Sequence, residues 1–286
     1  MNRYKMLAAA VAVMLAATSQ AFAGLVNDVP SCYAANHFKF KSSDYSRLAY
    51  ILVDQTVILD PELQREAMNN AIRLLGPGTK FVVAEFSAFS QNRYLDVLNT
   101  GIIENPMTKE ERDNVPVRTL GPFDNCMTGQ ARFSISLVEK AMKSAMQDST
   151  DTLAQSDIMM ALKTVSEAVA KDPAKQKVVF VVTDGLENSS VTSFYVRHGV
   201  RRIDPSKEMD KAEANHMIGN FGGASVYMMG VGVMPPAKVG TKAEREGYRD
   251  PKTLESLDEF WKRYFSASHA KLQETGNPAL VTPPGF

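Results

Sequence analysis

The chain has 286 residues, and its 32 lysine and arginine residues are balanced by 32 aspartate and glutamate residues. This length suits one large domain and is too great for a mini-protein stabilised by disulfides alone. The balanced charge disfavours a nucleic-acid partner, because such a partner usually needs a basic face on the protein.

The first residues have the pattern of a secretory signal peptide. Arg3 and Lys5 form a positive segment, residues 6–17 are apolar, and residues 21–23 (Ala-Phe-Ala) match a cleavage site. We therefore predict a signal peptide over residues 1–23 and an exported protein, with the periplasm as the expected compartment and secretion as the alternative. The apolar run is shorter than the roughly 20 residues that span a membrane. No transmembrane segment is expected after signal removal.

The sequence contains two cysteines, Cys32 and Cys126. In an oxidising compartment an even number of cysteines favours a disulfide. This bond would fasten an N-terminal extension, residues 24–44, to the middle of the chain. Two free buried thiols are the alternative. The chain has no C-x-x-C motif, so a disulfide here would be structural rather than redox-active.

From residue 45 onward, patterns typical of strands and helices alternate. Short apolar runs predict buried strands, and apolar residues three or four positions apart predict amphipathic helices. In chain order they are a strand (48–53), a helix (61–75), two strands (80–86 and 93–103), two helices (128–147 and 157–171), two strands (177–183 and 225–233) and a final helix (251–275). Asp60 followed by Pro61 predicts the N-cap of the first helix. Residues 104–125 are polar, aperiodic and rich in proline, which predicts a surface excursion within a domain spanning 45–286.

Strands separated by helices pair in parallel through right-handed crossovers, with helices on both faces of the sheet. The second and third strands are close enough in sequence to form an antiparallel hairpin. We therefore predict an α/β fold with an open, doubly wound, mostly parallel sheet and one antiparallel edge strand. Ligands of such sheets bind beyond the carboxyl ends of the strands. Asp54 and Asp184 end the two most apolar strands, so we expect them side by side at that edge.

Four oxygen-bearing side chains are predicted to converge at this edge. Asp54 and Thr56 follow the first strand, Ser156 precedes the third helix, and Asp184 follows the fourth strand. Carboxylate and hydroxyl oxygens are the ligands that hard cations such as Mg²⁺ prefer. Structural alternatives remain for two of them, because Ser156 suits a helix N-cap and Asp184, which precedes a glycine, suits a turn.

These residues resemble the metal-ion-dependent adhesion site of von Willebrand factor A domains. In that family Asp-x-Ser-x-Ser follows the first strand, and a distant Thr and an Asp closing the fourth strand complete the site. Asp54 matches the first Asp, and Thr56 stands at the first Ser. Ser156 takes the Thr position and Asp184 that of the last Asp. The resemblance covers residues 45–234 and implies a Rossmann-like fold. It also implies that Mg²⁺, Mn²⁺ or Ca²⁺ captures an acidic side chain of a protein partner.

The sequence departs from the family's pattern in three ways. Ile58 stands where the second Ser would be, so one hydroxyl ligand is missing, although water can complete the coordination of Mg²⁺. Five strands are predicted where the family usually has six. Residues 189–221 do not follow the common pattern either.

Binding rather than catalysis is the predicted function. The first hypothesis is an exported protein-binding module that holds a cation. The second is a metal-free scaffold or assembly component of the cell envelope, which Ile58 and the expected disulfide favour. The third is an aspartate-nucleophile phosphatase with Asp54 as nucleophile. Such enzymes need an acid two residues later, and Thr56 stands there.

Overall fold

A computed structural model describes residues 27–38, 45–87, 95–147, 149, 156–196, 199–234 and 250–286. The predicted signal peptide lies outside the described residues. Among the helices in these ranges, none combines the length and the hydropathy that crossing a membrane requires.

A six-stranded sheet forms the centre of the fold. Its strands are β1 (Arg47–Asp54), β2 (Thr79–Phe86), β3 (Asp96–Ile103), β4 (Gln176–Val182), β7 (Ser225–Met229) and β8 (Lys271–Gly276), while β5 (Tyr195–Val196) and β6 (Gly199–Val200) form a separate hairpin. The sheet order is β3-β2-β1-β4-β7-β8. Neighbouring strands run parallel except for the antiparallel pair of β2 and β3 at one edge. The predicted α/β fold with a mostly parallel sheet is confirmed.

Helices cover both faces of this sheet. In chain order they are α1 (Cys32–Ala35), α2 (Pro61–Arg73), α3 (Lys109–Asp113), α4 (Val117–Gln147), α5 (Ile158–Lys171), α6 (Pro205–Ala214) and α7 (Pro251–Ala267). Side chains alternate across β1, so that Leu48 and Leu52 pack with α5 and α7 while Ala49 and Ile51 pack with α2 and α4. Burial on both faces explains the continuous apolar runs of the central strands.

The C-terminal part of the domain differs from the prediction. The last helix ends at Ala267, where His269 adopts a positive φ of 52° and reverses the chain. Residues Lys271–Gly276 then form β8, the sixth strand, parallel to β7. The predicted final helix is present up to Ala267, and its predicted continuation to residue 275 is wrong. Residues Lys271–Gly276 lie at the sheet edge and are partly exposed, so their sequence lacks the apolar run that identifies a central strand.

The predicted surface excursion over residues 104–125 is also wrong in part. Residues 109–113 form α3, and α4 begins at Val117 rather than near residue 128. Most of the first turns of α4 are exposed and include Pro122, so their sequence shows no amphipathic period. Phe123 is the exception, because it is fully buried.

The N-terminal extension is fastened to α4 and covers β3. The predicted disulfide between Cys32 and Cys126 is present, with a Cα–Cα distance of 5.7 Å. Tyr33 packs edge-on against Phe123 beside it. Further upstream, the backbone N–H of Asp28 donates to the Thr100 carbonyl at 2.9 Å, and the Thr100 N–H donates to the Asp28 carboxylate at 2.9 Å. The extension therefore satisfies polar groups of an edge strand that another chain would otherwise pair with.

Candidate functional site

The carboxyl ends of β1 and β4 lie side by side, because Val53 pairs with Val182 in a parallel register. The chain segments that follow these strands meet the segment that precedes α5. We call residues 54–58, 156–157 and 183–188 the carboxyl rim. The expected neighbourhood of the two strand ends is therefore present.

Asp54 is the centre of the carboxyl rim. Its Oδ1 accepts hydrogen bonds from the Thr56 N–H at 2.9 Å and from the Thr56 hydroxyl at 2.6 Å. Its Oδ2 accepts from the Thr183 hydroxyl at 2.7 Å and the Ser156 hydroxyl at 3.3 Å. The side chains of Asp54, Thr56 and Ser156 thus converge, as the sequence predicted, although they lie up to 102 positions apart.

The environment of Asp54 leaves its charge uncompensated. The residue is only 1% exposed, and burial raises the pKa of its carboxyl group. Hydrogen bonds from Thr56, Thr183 and Ser156 oppose this rise, but every one of these donors is a neutral group. Asp54 forms no ion pair within the described ranges. A buried carboxylate of this kind is favourable when it is protonated or when a cation joins it.

Thr183 belongs to the site although no motif in the sequence indicates it. Its side chain is fully buried, and its hydroxyl donates to Asp54 and accepts from the Gly185 N–H at 3.1 Å. The only signal in the sequence is its place at the end of an apolar strand, next to Asp184. Consecutive side chains of an extended chain point in opposite directions, so sequence position did not decide which of the two contacts Asp54.

Asp184 lies in the carboxyl rim and is 4% exposed. Its Oδ1 accepts from the Leu186 N–H at 2.8 Å, which is the turn that the sequence left as an alternative. Its Oδ2 accepts from the Tyr195 hydroxyl at 2.9 Å. Asp184 is therefore held by its own turn and by β5, and it is linked to Asp54 through the adjacent residue Thr183.

Ser156 is not the N-cap of α5. Asp157 occupies that position and makes no side-chain cap hydrogen bond, while the Ser156 hydroxyl points at Asp54. The backbone of Ser156 pairs with Asn188 through two hydrogen bonds of 3.0 and 2.9 Å. The segments that carry Ser156 and Asp184 are consequently joined by backbone as well as by side chains.

Glu187 replaces the missing cap of α5. Its carboxylate accepts the Met159 N–H at 2.9 Å, and the residue is 1% exposed. Burial raises the pKa of Glu187 to about 8, against the effect of hydrogen bonds from Ser189 and from the backbone of Met159. No local pattern indicates this role, because the cap comes from a loop 28 positions away.

Ile58 and Asp60 lie outside the set of converging oxygens. Ile58 is 48% exposed and supplies no ligand where the family has a serine. Asp60 accepts hydrogen bonds from the N–H groups of Glu62 and Leu63, both at 2.9 Å. The prediction that Asp60 is the N-cap of α2 is confirmed.

The residues of the carboxyl rim fit a hard cation in part. Asp54 offers a carboxylate, and Thr56 and Ser156 each bring a hydroxyl into contact with it, which is an oxygen-only set of the kind that Mg²⁺ accepts. In the ranges described, His, Cys, Asp and Glu side chains form no group of three or more placed to hold a metal ion. A cation here would therefore depend on the hydroxyl groups and on water.

Neither a comparison with protein-family models nor one with curated proteins finds a match for this chain. The resemblance to von Willebrand factor A domains thus rests on the motif residues and on their arrangement, and membership of that family stays a prediction.

Proposed function

We propose that this chain is a protein-binding module whose carboxyl rim holds a divalent cation, Mg²⁺ before Mn²⁺ or Ca²⁺. The observation that supports this most is the buried carboxylate of Asp54, whose four hydrogen-bond donors are all neutral. A cation would neutralise the charge that these donors leave in place.

Asp54, Thr56 and Ser156 would hold the cation together with Asp184, whose neighbour Thr183 donates to Asp54. The bound cation would supply a positive charge and a coordination position for an acidic side chain of the partner. Mg²⁺ suits this arrangement because it keeps several waters and needs few protein ligands. The chain's own residues orient the cation, and no reaction is proposed.

We place this function in an exported protein of the periplasm. The disulfide between Cys32 and Cys126 supports an oxidising compartment. The predicted signal peptide over residues 1–23 agrees with that compartment and has its own test, which is the N-terminal sequence of the protein purified from the producing cells. A mature N-terminus at Gly24 is expected.

The proposed function is tested by affinity capture from envelope extracts with and without EDTA. The wild-type protein should retain a partner in Mg²⁺ and release it in EDTA, and Asp54→Asn should retain none. Asp60→Asn is the matched control, because it removes the same charge nearby while asparagine remains a good N-cap. Capture that is indifferent to EDTA and to Asp54→Asn would contradict the proposal.

A metal-free scaffold is the second candidate, and one observation favours it. The four donors occupy both oxygens of Asp54, so this residue is able to join β1, the Ser156 segment and the end of β4 without an ion. The apolar, exposed Ile58 agrees with such a role. This candidate predicts that Asp54→Asn destabilises the fold by about 1–2 kcal/mol while partner capture survives EDTA.

A further inference from the structure

The short hairpin of β5 and β6 lies outside the main sheet and contacts the carboxyl rim. We call residues 188–196 and 199–201 the rim hairpin. Its anchor is Phe194, which is fully buried and packs edge-on against Phe260 with ring centroids 5.0 Å apart. The Phe194 N–H donates to the Glu187 carbonyl at 2.8 Å, and its carbonyl accepts the Arg201 N–H at 2.7 Å. The hairpin is therefore fixed to the core at its centre.

The rim hairpin also continues the backbone pairing that begins at Ser156. Isolated bridges join Ser156 to Asn188 and Asn188 to Ser193. The Arg201 guanidinium donates to the Ser193 carbonyl at 2.9 and 3.1 Å and to the buried carboxylate of Glu208 at 2.8 Å. The rim hairpin, held in place by Arg201, consequently sets the position of the Ser156 backbone.

The rim hairpin also contacts Asp184, through the side chain of Tyr195. Tyr195 follows the buried Phe194 in an extended chain, so its side chain points away from the core and towards the carboxyl rim. Its hydroxyl donates to Asp184 Oδ2 at 2.9 Å, while the Leu186 N–H holds Oδ1. Both carboxylate oxygens of Asp184 are thereby given fixed directions.

We propose that Tyr195 is a positioning residue of the cation site, and this inference rests on the function proposed above. The rim hairpin orients Ser156 by its backbone and Asp184 by the Tyr195 hydroxyl, so that two elements of the site move as one. Hydrogen-bond partners of metal-binding carboxylates raise affinity because they fix the ligand before the ion arrives. Loss of such a partner lowers metal affinity by about 10- to 100-fold.

The test is a titration of the metal-depleted full chain with Mn²⁺, in which the electron paramagnetic resonance signal measures the concentration of free Mn²⁺. Tyr195→Phe should raise the Kd about tenfold or more. Tyr33→Phe is the matched control, because it removes a tyrosine hydroxyl that donates to the Asn105 carbonyl at 3.0 Å in the N-terminal extension. The control should bind Mn²⁺ as the wild type does.

A spectroscopic measurement separates positioning from a general loss of structure. Saturating Mg²⁺ should perturb the near-ultraviolet tyrosine absorption of the wild type, because a cation on Asp184 withdraws electron density from the carboxylate that the Tyr195 hydroxyl contacts. Tyr195→Phe should lack that perturbation, whereas Tyr33→Phe should keep it.

The possible outcomes distinguish this inference from the proposed function. Equal Mn²⁺ affinity of wild type and Tyr195→Phe would overturn the role of Tyr195 and leave the cation site intact. Tighter binding by Tyr195→Phe would show that the hydroxyl competes for Asp184, which also overturns the inference. Absence of saturable binding in the wild type would overturn both proposals.

Discussion

Two aspartates are buried at opposite ends of the same sheet, and the protein surrounds them with different partners. Asp172, at the amino ends of β2 and β4, has a side chain that is 4% exposed and pairs with Lys80 at 2.8 Å. It also accepts a hydrogen bond from the Tyr45 hydroxyl at 3.0 Å. Asp54, at the carboxyl end of β1, is 1% exposed as a whole residue but accepts hydrogen bonds from neutral groups only.

The same contrast separates two buried glutamates. Burial acts to raise the pKa of Glu208, but hydrogen bonds from Thr192, Arg201 and Lys211 outweigh it and hold that pKa below its usual value. Burial raises the pKa of Glu187 to about 8, and the hydrogen bonds from its neutral donors do not offset this rise. At the carboxyl rim, the buried carboxylates of Asp54 and Glu187 therefore have only neutral hydrogen-bond donors.

The largest effect is expected from removal of the cationic partner at the amino end. Lys80→Met should lower the free energy of unfolding by about 3 kcal/mol, because it leaves Asp172 buried without its counter-charge. Urea unfolding at neutral pH measures this change. Lys171→Met is the control, since Lys171 forms only an exposed pair with Glu167 at 3.8 Å and should leave stability unchanged. Equal effects of the two substitutions would remove the distinction between the two ends.

The pH dependence of stability tests the neutral surroundings of Glu187. The folded protein keeps a proton on this group up to pH about 8, whereas the unfolded chain loses it near the ordinary pKa of 4.5. The contribution of Glu187 to stability should therefore be fully present below that lower value and be lost as the pH rises between the two. One such group contributes a slope of up to about 1.4 kcal/mol per pH unit.

Glu187→Gln should reduce that slope, measured as the free energy of unfolding in urea at several pH values across the window. Glu167→Gln, at an exposed position of α5, should leave the slope as it is. A slope that survives Glu187→Gln would mean that another group causes it.

The smallest effect is expected from restoring the hydroxyl ligand that Ile58 replaces. Ile58→Ser places a hydroxyl where the family has one, so we expect a several-fold gain in Mg²⁺ affinity. Stability should change little, because Ile58 is 48% exposed. Calorimetric titration of both proteins with Mg²⁺ measures the gain. An unchanged affinity would indicate that position 58 does not face the cation.

Central elements of the fold were predictable because burial gave them a pattern. β1 and β4 are buried on both faces and read as continuous apolar runs. β8 escaped prediction because Lys271–Gly276 is a partly exposed edge strand of mostly polar residues. The start of α4 escaped because Phe123 is the only fully buried side chain in its first turns.

The candidate site was predictable where strand ends determine position. Asp54, Thr56 and Ser156 meet as expected, since they flank the central strand and the helix packed on it. Thr183 and Tyr195 were missed for different reasons. Thr183 and Asp184 are adjacent and their side chains point in opposite directions, so the sequence does not show which of them faces Asp54. Tyr195 belongs to a two-residue strand, which is too short to show a pattern of alternating apolar residues.

The most direct test of the central claim is isothermal titration calorimetry of Mg²⁺ into the metal-depleted protein and its Asp54→Asn and Asp60→Asn variants. The wild type and Asp60→Asn should show saturable binding at one site, and Asp54→Asn should show none. Absence of binding in the wild type, or equal binding by Asp54→Asn, would contradict the claim that the buried charge of Asp54 holds a cation.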